Sequence, residues 1–117
     1  MILVLEVVGD HAGGFGSDGR KVFKACGGVV GRLPECDWML RDEYISSRHA
    51  VIHYADEQFL IEDTSANGVF VNSEAEPLGE GQSRVITTGD VLRLDRFEVR
   101  VTVLNDEGLG ADKTAAA

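Results

Sequence analysis

The residues best equipped for chemistry in this chain stand side by side. Between Ile45 and Ala50 run Ser46, Ser47, Arg48 and His49: two hydroxyls, a guanidinium and an imidazole, flanked by apolar side chains. Three kinds of chemistry suit such a set. Ser46 and His49, with a carboxylate such as Asp63, have the residue types of a nucleophilic relay. Relays of that kind are defined by geometry that spacing cannot supply, and no nucleophile-elbow pattern surrounds Ser46. His49 and His53 are four apart, a metal-pair interval on a helix, but residues 50–54 alternate like a strand, so the interval carries little. The third chemistry is anion binding by a loop that presents hydroxyls and a guanidinium. That reading gains companions in Gly31-Arg32 before the stretch, and in Ser65-Ala66-Asn67-Gly68 and Val71-Asn72 after it.

Short strands must position these loops. Residues 1–8 form an apolar run rich in Ile, Val and Leu, which suits a buried strand. Residues 9–19 hold five glycines and read as a turn or flexible loop. Strands are predicted at residues 20–25, from 29 to 32, at 37–40, 50–54, 58–63 and 69–71, then at 83–87, 91–94 and 97–103. Residues 72–81 are acidic, turn-rich and expected to be exposed. Turn signals recur every six to twelve residues and no helical period stands out. The predicted fold is all-β, a two-sheet antiparallel β-sandwich of about ten or eleven short strands. One domain is expected over residues 1–104, followed by a flexible tail or linker over 105–117.

Composition narrows the functional classes. At 117 residues the chain is long enough to bury one core. No run reaches the length of about 18 apolar residues that a membrane span needs, and the amino terminus lacks the basic flank and cleavage site of a signal peptide. Cys26 and Cys36 form neither a disulfide framework nor a metal-type pair, which fits two reduced thiols in a cytoplasmic protein. A net charge of −9 argues against nucleic acid and against anionic membrane surfaces. An anionic ligand remains compatible where a few arginines are focused in one place.

Read in order, Gly31-Arg32, Ser46-x-x-His49, Asn67-Gly68 and Val71-Asn72 resemble the signature of the forkhead-associated (FHA) domain, over roughly residues 29–103. The resemblance implies a β-sandwich whose loops at one end bind phosphothreonine in an extended peptide. It implies that Arg32, Ser46 and Ser47 hold the phosphate and that Asn67 fixes the peptide backbone beside it. Tyr44, Arg48 and Ala66 then fall in the loops that set specificity, while Gly31, His49 and Gly68 shape them. Ala66 departs from the pattern, standing where several relatives carry a hydroxyl. The run from Cys36 to Asp42 also resembles FHA domains at the amino terminus of type VI secretion accessory proteins.

The residue types match the implied ligand. Phosphothreonine brings a charge of about −2 and three acceptor oxygens, and Arg32 offers a planar fork of donors. Charge-assisted hydrogen bonds of roughly 1.5–3 kcal/mol each, less the cost of association, leave a site near −8 kcal/mol, on the order of micromolar. Discrimination from phosphoserine rests on one methyl group, about 0.8 kcal/mol or fourfold. Tyr44, two residues before Ser46, falls where the resemblance implies that a residue C-terminal to the phosphothreonine is read, and a tyrosine there suggests apolar or aromatic contact rather than choice of an acidic partner. The function expected is docking of a Thr-phosphorylated partner within a Ser/Thr kinase system, with no catalysis, no cofactor and no metal. The alternative is a scaffold domain of the same fold that binds without phosphate, which the departure at Ala66 keeps open.

Overall fold

The computed structural model describes residues 1–9 and 12–105. Ten strands follow one another: β1 (Ile2–Val8), β2 (Arg20–Phe23), β3 (Gly28–Gly31), β4 (Trp38–Met39), β5 (Ala50–Ala55), β6 (Gln58–Asp63), β7 (Val69–Val71), β8 (Ser83–Ile86), β9 (Val91–Leu94) and β10 (Phe97–Leu104). They form two five-stranded sheets, in the orders β2-β1-β10-β9-β7 and β4-β3-β5-β6-β8. Alternation explains which side chains meet between them. In β10 Phe97, Val99 and Val101 are buried while Glu98 and Arg100 are exposed, and in β6 Phe59 and Ile61 face inward between outward Gln58 and Leu60. Leu3, Leu5 and Val7 of β1 complete the opposing layer. Each such side chain contributes about 1.5–3 kcal/mol by leaving water.

The sandwich expected from the sequence is present, with differences of detail. The pairing is not wholly antiparallel, because β3 and β4 run parallel through Val30↔Trp38 and Gly31↔Met39. A full parallel ladder needs a long crossover; this two-residue bridge is made by a loop that turns through Cys36 N–H to Leu33 O and closes with Leu40 N–H to Gly31 O. Consequently the predicted strand at 37–40 shrinks to Trp38–Met39. The glycine-rich stretch contains two 3-10 turns, Ala12–Gly14 and Gly16–Gly19, and the carbonyl of Asp18 in the second accepts the indole N–H of Trp38 at 2.6 Å. Residues 72–81 are not uniformly exposed: Leu78 donates its amide to Val69 O and packs against the core. The tail predicted at 105–117 lies outside the described residues except for Asn105. Among the described residues no helix is long and apolar enough to cross a membrane.

The register brings the polar loops to one end. Val30 pairs with Ala50 and Ala50 with Asp63, so β3 and β6 finish, and β5 begins, at the same level. In the other sheet Leu94 pairs with both Val69 and Phe97. The loops carrying Arg32, residues 41–49 and residues 64–68 therefore share one rim of the sandwich.

Candidate functional site

His49 is the post around which the rim is built. It is fully buried. Its Nδ1 accepts the amide of Ser46 at 3.0 Å, so the ring proton sits on Nε2, which donates to the carbonyl of Gly68 at 3.1 Å. Its backbone amide reaches Val30 O, and its carbonyl accepts from Thr64 N. One residue thus ties β3, the 46–48 loop and the 64–68 loop together. Burial holds its pKa below the ordinary 6.5, with the Gly68 carbonyl and the Asp63 charge pulling the other way.

Arg32 emerges beside this post. Its backbone amide donates to Ser46 O at 3.0 Å and its Nε to Ile45 O at 3.1 Å, while Nη2 donates to Ser47 Oγ at 3.2 Å. A guanidinium has five N–H donors, and these bonds engage two of them. Gly31 explains how β3 comes so close to the 46–48 loop. A Cβ there would collide with the carbonyl oxygen of Ser47 and stand 2.9 Å from Arg48 Cα. Cys36 Sγ also donates to Ser47 O, at 3.3 Å, and burial pushes its thiol pKa up.

The serines share a geometry with a chemical consequence. Ser46 Oγ accepts the amide of Ala66 at 3.0 Å, and Ser47 Oγ accepts from Arg32. In both cases the partner is an N–H, so each hydroxyl is the acceptor and keeps its own proton to donate outward. Asn67 donates through Nδ2 to the carbonyl of Tyr44 at 2.9 Å, which leaves Oδ1 as an exposed acceptor. Gly68, at φ +100°, turns the chain where a Cβ would stand 2.8 Å from Pro77 Cβ. Arg48 is exposed, and its carbonyl accepts the Thr64 hydroxyl at 2.8 Å. Tyr44 is exposed, as is Ala66.

Two features of the rim were missed in the sequence. Asp63, considered there only as a relay acid, is a buried hub. Its Oδ1 accepts the amide and hydroxyl of Ser65, and its Oδ2 accepts the amides of Val69 and Gly79. Burial pushes its pKa up, but these bonds, the Ser65 hydroxyl foremost, outweigh it and hold the carboxyl below its ordinary 3.8. Arg96, from the β9–β10 turn, reaches Asp42 at 3.0 Å. Its signal was absent because only the strand order puts that turn on this rim. The Ser46–His49–Asp63 relay is not assembled: His49 meets the amide of Ser46 rather than its hydroxyl, and among the described residues the hydrogen bonds to the Asp63 carboxylate come from Ser65, Val69 and Gly79. His53 likewise stands apart from His49 and bonds Glu62 at 2.7 Å.

A family model, the FHA domain, matches residues 28–95. The chain belongs to the FHA domain family. Of curated relatives, an oxoglutarate dehydrogenase inhibitor from Corynebacterium efficiens is 36% identical over 72 residues, covering 61% of this chain and 47% of the relative. The chain thus spans about half the length of the curated relatives it matches. Two solved FHA-type structures show the fold. One, from work on phosphothreonine-dependent FHA domain interactions, has a TM-score of 0.70 at 23% identity, covering 90% of this chain and 99% of its own. The other, Mycobacterium tuberculosis EmbR in complex with a low-affinity phosphopeptide, has a TM-score of 0.69 at 24% identity, covering 87% of this chain and 24% of its own. On this FHA domain the rim residues Arg32, Ser46, Ser47 and Asn67 stand on adjoining loops, with His49, Gly31 and Gly68 beneath or between them.

Proposed function

We propose that this FHA domain binds phosphothreonine peptides through Arg32, Ser46 and Ser47, with Asn67 holding the peptide backbone. The observation that carries the proposal is the direction of the internal hydrogen bonds. Both serine hydroxyls act as acceptors and keep their protons, and Arg32 keeps three of its five N–H donors. Unfilled donors of this kind converging on one rim match a ligand that offers only acceptors and negative charge. The exposed Oδ1 of Asn67 is an acceptor suited to a peptide N–H rather than to phosphate. Support from neighbours is consistent: one solved relative is described by phosphothreonine-dependent interactions and another holds a phosphopeptide.

The physiological role follows as partner docking within a kinase-controlled system. The curated relatives are named as inhibitors of oxoglutarate dehydrogenase, so control of an enzyme partner by docking is the setting they favour. None of the matches described above carries a type VI secretion setting. The run from Cys36 to Asp42 also has local structural tasks: Cys36 bonds Ser47 O, Asp37 accepts Val29 N, Trp38 bonds Asp18 O and Asp42 pairs with Arg96. These contacts explain the run without reference to a setting.

The test is titration of matched phosphorylated and unphosphorylated threonine peptides from a library screen. Binding is expected to require phosphate and to fall at least tenfold in Arg32→Ala, the scale of one charge-assisted bond, with the fold retained although the bonds to Ile45 O and Ser47 Oγ are lost. Equal affinity for both peptides would favour the phosphate-independent scaffold reading.

A further inference from the structure

The β9–β10 turn stands at the same rim as the phosphate loops because Leu94 pairs with both Val69 and Phe97. From it Arg96 crosses to the loop before Ser46. Nη2 donates to Asp42 Oδ2 at 3.0 Å, and Cζ lies 5.3 Å from the centroid of the Tyr44 ring. The other oxygen of Asp42 accepts the amide of Tyr44 at 2.9 Å, and the carbonyl of Tyr44 accepts Asn67 Nδ2 at 2.9 Å. A continuous set of contacts therefore joins Arg96, through Tyr44, to the asparagine beside the phosphate loops.

The exposures matter. The Arg96 side chain is 50% exposed whereas that of Asp42 is 14% exposed. Tyr44 is one of two large hydrophobic residues exposed on the described surface. Arg96 commits one of its five N–H donors to Asp42 and rests near the tyrosine ring, so its remaining edge is open to a second carboxylate. Arg41 and Arg48, on the same connection between β4 and β5, have no carboxylate within ion-pair distance among the described residues. Glu43 and Asp95, next to Tyr44 and Arg96 in the chain, offset their charge, so Arg96 itself is the cation that meets the peptide.

We propose that Tyr44 and Arg96 form a subsite that selects an acidic side chain, Asp or Glu, flanking the phosphothreonine of the bound peptide. The proposal rests on the phosphothreonine reading above and deepens it. The guanidinium beside the ring changes what Tyr44 offers: an aromatic face alone suits an apolar residue, but one bearing an open guanidinium suits a carboxylate. Asp42 has two effects here. It holds Arg96 over the ring, and it competes with the peptide for the same cation.

That double role supplies a test in which two variants move in opposite directions. Phosphothreonine peptides identical except for Glu, Gln or Leu at one flanking position, scanned along the peptide, are titrated against the unaltered domain, Arg96→Gln and Asp42→Asn. At one position Glu should be preferred over Gln about two- to fivefold, the scale of an exposed ion pair. Arg96→Gln should bring that ratio to about one while phosphate dependence persists. Asp42→Asn keeps an acceptor for the Tyr44 amide but removes the internal competitor, and should raise the ratio. If the pair merely braced the loop, both variants would shift all peptides alike and leave the ratio unchanged, which would overturn the proposal. A preference for Leu that is lost in Tyr44→Ala but kept in Arg96→Gln would also overturn it. Loss of phosphate dependence in the unaltered domain would sink the underlying reading instead, whereas phosphate dependence with a flat Glu/Gln ratio sinks the subsite alone.

Discussion

The proton of His49 sits on Nε2 because Nδ1 already accepts the Ser46 amide. Adding a second proton would set one N–H against another inside the protein. Burial therefore depresses the folded pKa below 6.5, and linkage gives the sign. A depressed value means a stability contribution complete above pH 6.5 and lost as pH falls through the folded value. Asp63, also depressed, contributes stability that is complete above pH 3.8 and lost below it. Urea melts across pH should accordingly show stability falling in two steps, the first beginning near pH 6.5. In His49→Ala the first step should vanish. At neutral pH that variant should cost about 2–4 kcal/mol, since it leaves the Ser46 amide and the Gly68 carbonyl without their partner and opens a cavity. A first step that survives the substitution would contradict the assignment.

At the scale of elements, the meeting of β3 with the 46–48 loop sets where Arg32 begins. Gly31→Ala places a methyl group against Ser47 O and Arg48 Cα, backbone atoms that cannot rotate away. The expected cost is about 1–3 kcal/mol, with weakened phosphopeptide binding because Arg32 and Ser47 move apart. Denaturant melts and peptide titration on the same variant check both. Strands bounded by alternation and clear turns were readable: Gln58–Asp63, Val69–Val71 and Val91–Leu94 fall where the pattern predicts. The turn before β6 is marked by Asp56 and Glu57, both at positive φ. The β3–β4 bridge was not readable, since two paired residues leave no period to detect. Asp63 and Arg96 escaped for a different reason. The bonds of Asp63 to Val69 and Gly79 reach 6 and 16 residues along the chain, and that of Arg96 to Asp42 spans 54, so they depend on tertiary placement rather than on local pattern.

For the molecule as a whole, the charge of −9 and the proposed phosphopeptide ligand have the same sign. Attraction therefore has to be local, within the roughly 10 Å over which charges act at 0.1 M salt. We propose that the folding unit closes with β10, whose last residues pair with the first of β1 through Ile2↔Leu104. A chain ending at Asn105 should then keep the melting temperature and the phosphopeptide affinity of the full sequence, as calorimetry and titration would report. The same pairing sets a reach requirement. Ile2 and Leu104 stand at the end of their sheet away from Val69, Leu94 and Phe97, and β10 runs eight residues between the two ends. At about 3.3 Å per residue this separation is about 25 Å. A phosphothreonine joined to the domain beyond Leu104 would need roughly eight extended residues before it could enter the domain's own site. One tethered more closely is within reach only of another molecule.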